Sequence, residues 1–474
     1  MKYLNVFAFL ISMLIIGTSC TKKESIRGKW YGLYQKSLIT FSFNDDNTLD
    51  VKSESFSSLS FSCKYALNES TNPMEIDITE STNGMAGAGL VRINADKTME
   101  FFCNFGAPGM TERPAEIESQ PKAMTNVYFK LSKDKESVLS EIAVRTKAPE
   151  SAKLAFERNA RLGAGINLNA TVDGNLHPGY ERDAPLGDDE IKSIAEVGFR
   201  SIRLNVTWSK HSSKEKPYTI DPAFFNKVDH IVNESLKNGL AVSIDVHYYP
   251  YINMGHDDEN ISYEENFERL NSFWEQIAEH YKNYPPEVYF DLLNEPNLRM
   301  GADKWNEVIA RLVKTIRKTN PDRTLIVNTP NLGQSWTLNY LELPEDDWNI
   351  IAQFHYYLPH LFTHQGLAYA MAENSSNVEW LGTDEEKAAI ENDLDFCQRW
   401  SQANGRPVNM GEYGVINTAD VASRARYLGF MREASAKRGI SSHLWGYREC
   451  FQIRDEQTGE WIQPILDAMK LKNQ

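Results

Sequence analysis

Eight short apolar runs punctuate residues 148–474 of this 474-residue chain, and most are followed by a stretch of helical period. The runs cover 163–168, 201–205, 241–247, 288–294, 324–328, 350–356, 408–412 and 441–445. Between them, residues 188–197, 223–238, 263–284, 304–318, 384–403 and 419–437 carry apolar side chains three and four apart. A strand that is apolar on both faces must be covered on both faces, and a parallel sheet does this with its crossover helices. Eight such units in a segment of this length predict an α/β fold, a closed (β/α)8 TIM barrel. An open doubly wound sheet is the alternative. It is disfavoured because no Gly-x-Gly-x-x-Gly follows the first strand.

The segment before the barrel reads differently. Residues 21–147 hold short apolar runs such as Leu38-Ile39-Thr40-Phe41 and Met99-Glu100-Phe101-Phe102, separated by turns at Asn44-Asp45-Asp46-Asn47 and Asn94-Ala95-Asp96-Lys97. This pattern predicts a small all-β domain, an antiparallel barrel or a sandwich. Its opening Gly28-Lys29-Trp30-Tyr31 resembles the entrance to lipocalin-like barrels. No cluster of catalytic residue types lies here, so a spacer or packing module is expected ahead of a carbohydrate-binding one. Further upstream, Lys2 precedes an apolar stretch from Leu4 to Ile16, then Gly17-Thr18-Ser19-Cys20. A basic start, a short apolar core and small residues mark an export signal, and the run ending in cysteine resembles a bacterial lipobox. The expected division is therefore 1–20 signal, 21–147 β domain and 148–474 barrel. Cys20 is the expected lipidation site, anchoring an exported protein to a bacterial, outer, membrane on its periplasmic or outer face. Export permits disulfides, and the sequence leaves a Cys63–Cys103 pairing open.

A net charge of −15 disfavours a nucleic-acid partner, because polyphosphate binding needs a basic face. The chemistry lies at the strand ends, because a TIM barrel builds its site where strands exit at the C-terminal face. Those ends carry Asn167 and Asn169, Arg203 and Asn205, Asp245 and His247, Asn294 and Glu295, Asn328, His355 and Tyr357, Glu412 and Tyr413, and Trp445. An unbonded polar group in a core costs about 1–3 kcal/mol, so such a set indicates a site rather than packing. Two members are carboxylates on opposite halves, Glu295 after the fourth strand and Glu412 after the seventh. Such a pair suits displacement at an anomeric carbon, one attacking while the other protonates the departing oxygen. Strand order places Arg203 and Tyr357 as donors to Glu412, and His355 beside Glu295. Both reacting groups are side chains, so no metal or organic cofactor is implied. The acidic stretch 256–260 matches no metal-ligand spacing. Trp208 and Trp336 read equally as stacking platforms or packing.

Leu293-Asn294-Glu295-Pro296 together with Gly411-Glu412-Tyr413-Gly414 resembles glycoside hydrolase family 5, the endoglucanase and mannanase family. Arg203, His247, His355, Tyr357 and Trp445 match that family's pattern in order, over residues 155–474. The resemblance implies that Glu295 is the general acid/base and Glu412 the nucleophile of a retaining reaction. It further implies that Asn294 bonds a sugar 2-hydroxyl and that Arg203 and Tyr357 orient Glu412. His247 and His355 would contact hydroxyls or the acid/base, Trp445 would floor the sugar under attack, and Asn167 would join the substrate contacts. Leu361-Phe362-Thr363-His364-Gln365-Gly366 resembles a loop of one family branch in which His364 reaches substrate. Tyr369 stands where a tryptophan is usual there, and the first-strand motif Gly165-Ile166-Asn167-Leu168-Asn169 lacks the common Gly-Asn pair. The expectation is a monomeric enzyme that cuts internal β-1,4 bonds of a plant polysaccharide: cellulose, mixed-linkage glucan, xyloglucan or mannan. The alternative is a surface glycan-binding lipoprotein without catalysis, which retention of both glutamates opposes. A transglycosylase on the same machinery is a further alternative.

Overall fold

In the computed structural model, the N-terminal strands and the C-terminal strands each close on themselves, by different routes. The structure describes residues 25–473 except 35–36, 54–59, 83, 110, 120–125, 141–147, 169–185, 248, 250–251, 253–261, 298–299, 371 and 456. The export-type segment with Cys20, Asn169, the acidic stretch 256–260 and the side chain of Tyr369 lie outside the described residues. Contacts divide the chain into two compact units, one drawn from residues before 134 and one holding everything from Asp134 onward.

The first barrel runs up and down through β1 (Gly28–Tyr34), β2 (Ser37–Phe43), β3 (Thr48–Ser53), β4 (Phe61–Asn68), β5 (Met74–Thr79), β6 (Ala86–Ile93), β7 (Met99–Gly106) and β8 (Asn126–Ser132). It is thus a barrel and not a sandwich. Strand alternation explains it: in β5, Ile76 and Ile78 are buried while Asp77 and Thr79 face water. Phe41, Phe101 and Phe129 come from strands that are not all neighbours, yet their rings lie 5.0–6.4 Å apart. Only the bore allows that meeting. Cys63 and Cys103 are buried and unbridged.

The second barrel is parallel throughout. Its strands are β9 (Ala164–Asn167), β10 (Ser201–Val206), β11 (Ala241–Val246), β12 (Val288–Asp291), β13 (Leu325–Asn328), β14 (Ile350–His355), β15 (Val408–Tyr413) and β16 (Ser441–Leu444), and β16 closes on β9. All eight strands expected from the apolar runs are present. Helices between them bury one stripe each. Ala302–Arg317, for example, turns Trp305, Val308, Ile309, Leu312, Val313 and Ile316 inward. Burying such a side chain contributes roughly 1.5–3 kcal/mol. Helix starts are fixed locally: Asp221 accepts from the Ala223 amide ahead of Pro222, and Thr383 with Glu386 forms a capping box. No helix among the described residues is long and apolar enough to cross a membrane.

The bore of this barrel is layered. Leu162, Ala241, Tyr289, Ile326 and Ile351 form an apolar plug. Above it the register sets Asn167 beside Arg203, Asp245 beside Asp291, and Gln353 beside both Asn328 and Asn409. This polar layer carries the strand-end residues that the sequence singles out.

Candidate active site

Arg203 is the hub. Its side chain is wholly buried, and its guanidinium, which has donors and no acceptor, meets an acceptor in every direction. Nε donates to Asp291 (2.8 Å), Nη1 to Glu412 (2.8 Å) and Asn167 (3.1 Å), and Nη2 to Asn294 (2.8 Å) and Asp245 (2.6 Å). Burial alone would weaken its hold on the proton, but Asp245, Asp291 and Glu412 outweigh burial and raise its pKa. Burial pushes Asp245 up to about 7 against the pull of Arg203. Burial and then the Asp245 charge push Asp291 up to about 6.

Glu412, on β15, receives Arg203 Nη1 on Oε1 and the Tyr357 hydroxyl on Oε2 at 2.9 Å. Glu295 has different company. Its Oε1 lies 2.8 Å from His355 Nδ1. Although a quarter of the Glu295 side chain is open, surrounding protein removes enough water to push its pKa up to about 7, against the charges of His247 and Arg203. Burial pushes His355 down to about 4, so its ring is neutral near pH 7. One carboxylate oxygen from each glutamate and a His355 ring nitrogen lie within 4.8 Å of one another. This trio is the one grouping of potential metal ligands among the described residues. An ion there would have to displace the hydrogen bonds that already engage all three.

The chain reaches Glu295 through a strained corner. The expected run 288–294 ends as a strand at Asp291, although Leu292 and Asn294 still donate backbone bonds to Ile326 (3.0 Å) and Val246 (3.0 Å). A following proline favours extended backbone, yet Glu295 adopts a left-handed φ of +47°. Such a conformation costs of order 1–3 kcal/mol and persists only where neighbours impose it. Here Asn297 donates from Nδ2 to the Glu295 carbonyl (2.8 Å), and the Leu332 amide donates to the Pro296 carbonyl (3.3 Å). Just after β15, Gly414 leaves room for the next strand end: a Cβ there would meet the Trp445 carbonyl oxygen at 2.0 Å.

The structure brings the other expected residues to the same end of the barrel, with differences. Trp445 is part-exposed and stacks on His247, centroids 5.4 Å apart at 16°. His364 sits edge-on to Tyr357 at 4.8 Å, and burial lowers its pKa to about 3. Asn167 corrects the expectation of a substrate contact. It is wholly buried, its Nδ2 donates to the Gly411 carbonyl (2.9 Å) and its Oδ1 accepts from Arg203, so it props the hub instead. Arg203, equally buried, acts on the carboxylates and does not face the cleft. Trp208 is packing, buried against Phe224 and Phe225. Sequence reasoning missed Asp291, Gln353, Asn409 and Asn297. The first three stand as single polar residues in otherwise apolar runs, and only the strand register brings them together.

Comparison with known proteins places this geometry. The model of the cellulase family (glycosyl hydrolase family 5) matches residues 168–449. The chain is 32% identical to Endoglucanase H of Acetivibrio thermocellus over 291 residues, 61% of this chain and 30% of that protein. It is 30% identical to Cellulase/esterase CelE of the same organism, covering 64% of this chain and 39% of that protein. The chain thus spans only 30% and 39% of the length of these two curated relatives. Among solved structures it resembles a hyperthermophilic endo-β-1,4-glucanase in complex with substrate (33% identity, 66% of this chain, 98% of that one, TM-score 0.62). It also resembles Thermotoga maritima Cel5A in complex with mannotriose (32% identity, 66% and 99%, TM-score 0.62). Matched over more than half its length by that model, the chain belongs to the cellulase family, glycosyl hydrolase family 5.

Proposed function

We propose that the protein is a retaining, endo-acting glycosidase that hydrolyses β-1,4 linkages of a plant β-glycan by double displacement. The observation that carries this reading is the spacing of Glu295 and Glu412, whose nearest oxygens fall within 4.8 Å. Carboxyls about 5–5.5 Å apart leave room for a sugar carbon and none for the extra water of an inverting reaction, which needs about 6.5–9.5 Å. Their unequal surroundings supply the division of labour. Glu412, held by Arg203 and Tyr357, attacks the anomeric carbon. Glu295, whose proton is retained up to about pH 7, delivers it to the departing oxygen. In the second step Glu295 takes a proton from water, which displaces Glu412 from the sugar. Asn294, held by Arg203, bonds the sugar 2-hydroxyl, while Trp445 stacks on the ring.

The relatives' names favour a glucan, and the mannotriose complex of one structural neighbour keeps mannan among the candidates. Following the first-formed anomer by proton NMR during digestion of mixed-linkage glucan, xyloglucan, carboxymethyl cellulose and mannan tests the reading. The β-anomer is expected first. First release of the α-anomer overturns double displacement, and a chain that binds glucan without releasing reducing ends is the glycan-binding alternative. The same reading has the enzyme held at a membrane by lipidated Cys20, with residues 21–147 as a spacer. Cys20→Ser then moves it to the soluble fraction, and unchanged fractionation removes that part of the proposal.

A further inference from the structure

A one-way chain of hydrogen bonds runs from the Arg203 guanidinium to the imidazole beside Glu295. Arg203 can only donate, so Asp291 Oδ2, which takes its Nε–H at 2.8 Å, is an acceptor. The Gln353 atom 3.0 Å from that same oxygen must therefore be the donor Nε2. This turns Gln353 Oε1 toward Asn328, where it accepts from Nδ2 at 2.8 Å. The second hydrogen of Asn328 Nδ2 then points at His355 Nε2, 2.9 Å away. A nitrogen that receives a donor has no proton of its own. In a neutral ring the proton lies on Nδ1, 2.8 Å from Glu295 Oε1.

We propose that Asn328, oriented by Gln353, is a positioning residue that keeps the His355 proton on Nδ1, so that the ring donates to Glu295 instead of accepting from it. The proposal rests on the reading of Glu295 as acid/base. Its consequence lies in which oxygen of that carboxyl carries the acid proton. With Nδ1–H on Oε1, the acid proton is placed on the other oxygen. With the opposite tautomer, Oε1 would donate to Nδ1 and the acid proton would be engaged inside the protein.

The surroundings show that this orientation is imposed and not merely convenient. Asn328 Oδ1 is buried with no hydrogen-bond partner among the described residues, a desolvation cost that the Nδ2 contacts offset. Gly333, at a left-handed φ of +69°, presses its backbone against both residues. A Cβ there would lie 2.8 Å from Asn328 Oδ1 and 3.0 Å from His355 Cγ. Gln334 then pairs with His355 through its backbone, which fixes the main chain that carries the ring. The ionisable groups acting on the pair are His355 on β14, Glu412 on β15, Asp245 on β11, His247 just after that strand, Arg203 on β10 and Asp291 on β12.

The test is a nitrogen NMR spectrum of the full chain with ring-15N-labelled histidine, in which His355→Gln identifies the His355 signals by their loss. Between pH 5 and 8, a protonated Nδ1 and a bare Nε2 are expected. In Asn328→Asp the new carboxylate accepts from Nε2 and the pattern reverses. A bare Nδ1 in the unaltered protein, or no change in the variant, overturns the proposal. Kinetics supply a second readout. In Asn328→Asp, Glu295 loses an N–H donor and gains a nearby negative charge, so the alkaline limb of kcat/KM moves up by about half a pH unit or more. Loss of kcat with an unmoved limb would mark Asn328 as structural only, and would overturn the proposal too. A chain that cleaves no β-glycan defeats the functional reading while the nitrogen signals still decide the tautomer. An active chain with a bare Nδ1 defeats this inference alone.

Discussion

In the first barrel the rings of Phe41, Phe101 and Phe129 meet across the bore, and no polar or charged side chain is buried among the described residues before 148. In the second, the bore holds Arg203, Asp245, Asp291, Gln353, Asn409 and His443, all wholly buried. The difference follows from where each barrel keeps its apolar burial. An antiparallel barrel with a wetted outer face has only its bore to bury, so a charge there would be unpaired and costly. A parallel barrel is jacketed by helices, and its main core lies between strands and helices, where Val206, Val246, Phe290 and Val327 join Phe224, Trp274 and Trp305. Its bore is released from that duty and can hold a polar network.

The largest expected effect is at the end of that network. Glu412→Gln keeps the shape and the Tyr357 and Arg203 contacts but removes the attacking charge. We expect kcat on a soluble β-glucan to fall roughly 10,000-fold, about 5 kcal/mol of barrier, with the folding transition retained. Residual activity within tenfold of the unaltered protein would refute the nucleophile assignment.

Next is the hub itself. Arg203→Met conserves much of the volume but strands Asp245, Asp291 and Glu412 without their cation. Removing one partner of a buried ion pair costs about 3–5 kcal/mol, measurable by urea denaturation of the second barrel. An unchanged midpoint would show that the network serves chemistry without contributing to the fold.

Much of this contrast was legible in the sequence, and the unread part has a physical reason. Short apolar runs parted by turns announced a small all-β domain, a barrel or a sandwich, and the alternation of buried and exposed residues in β4 and β5 follows from water on one face only. The eight parallel strands were legible as apolar runs, and Glu295 and Glu412 as the charges that interrupt their ends. The polar bore was not. In a strand buried on both faces, Asp291 between Phe290 and Leu292 looks like an isolated exception, and only the register reveals that it faces Asp245 and Arg203. The left-handed corner at Glu295 was likewise hidden, since Pro296 argued for extended backbone before it.

A smaller effect concerns pH. Glu295 titrates at about 7 in the fold against an ordinary value of 4.5, because burial disfavours its charge. A carboxyl that holds its proton more tightly when folded contributes fully below about pH 4.5, and that contribution is lost as pH rises toward 7. With its side chain a quarter open, a loss of about 1–3 kcal/mol is expected between pH 4.5 and 7.5. Glu295→Gln should flatten the stability profile by that amount, while the slopes from Asp245 and Asp291, both also raised, remain. Identical profiles for the two proteins would contradict a raised Glu295 and with it the alkaline limit near pH 7 expected for the first catalytic step.

The smallest effect is expected in the apolar bore. Phe101→Leu exchanges one well-packed hydrophobic group for another and leaves no charge or hydrogen bond unmatched. Cores of this kind absorb near-isosteric swaps for less than about 1.5 kcal/mol, because neighbouring rings shift to refill the space. Set beside Arg203→Met, it compares two shape-conserving substitutions at the centres of two eight-stranded barrels by one measurement, the shift in urea midpoint of each unit. If filling volume were all that a bore requires, the two shifts would match. A loss at Phe101 as large as that at Arg203 would mean that the first bore is also specified group by group, and the distinction drawn from where each barrel buries its apolar surface would fail.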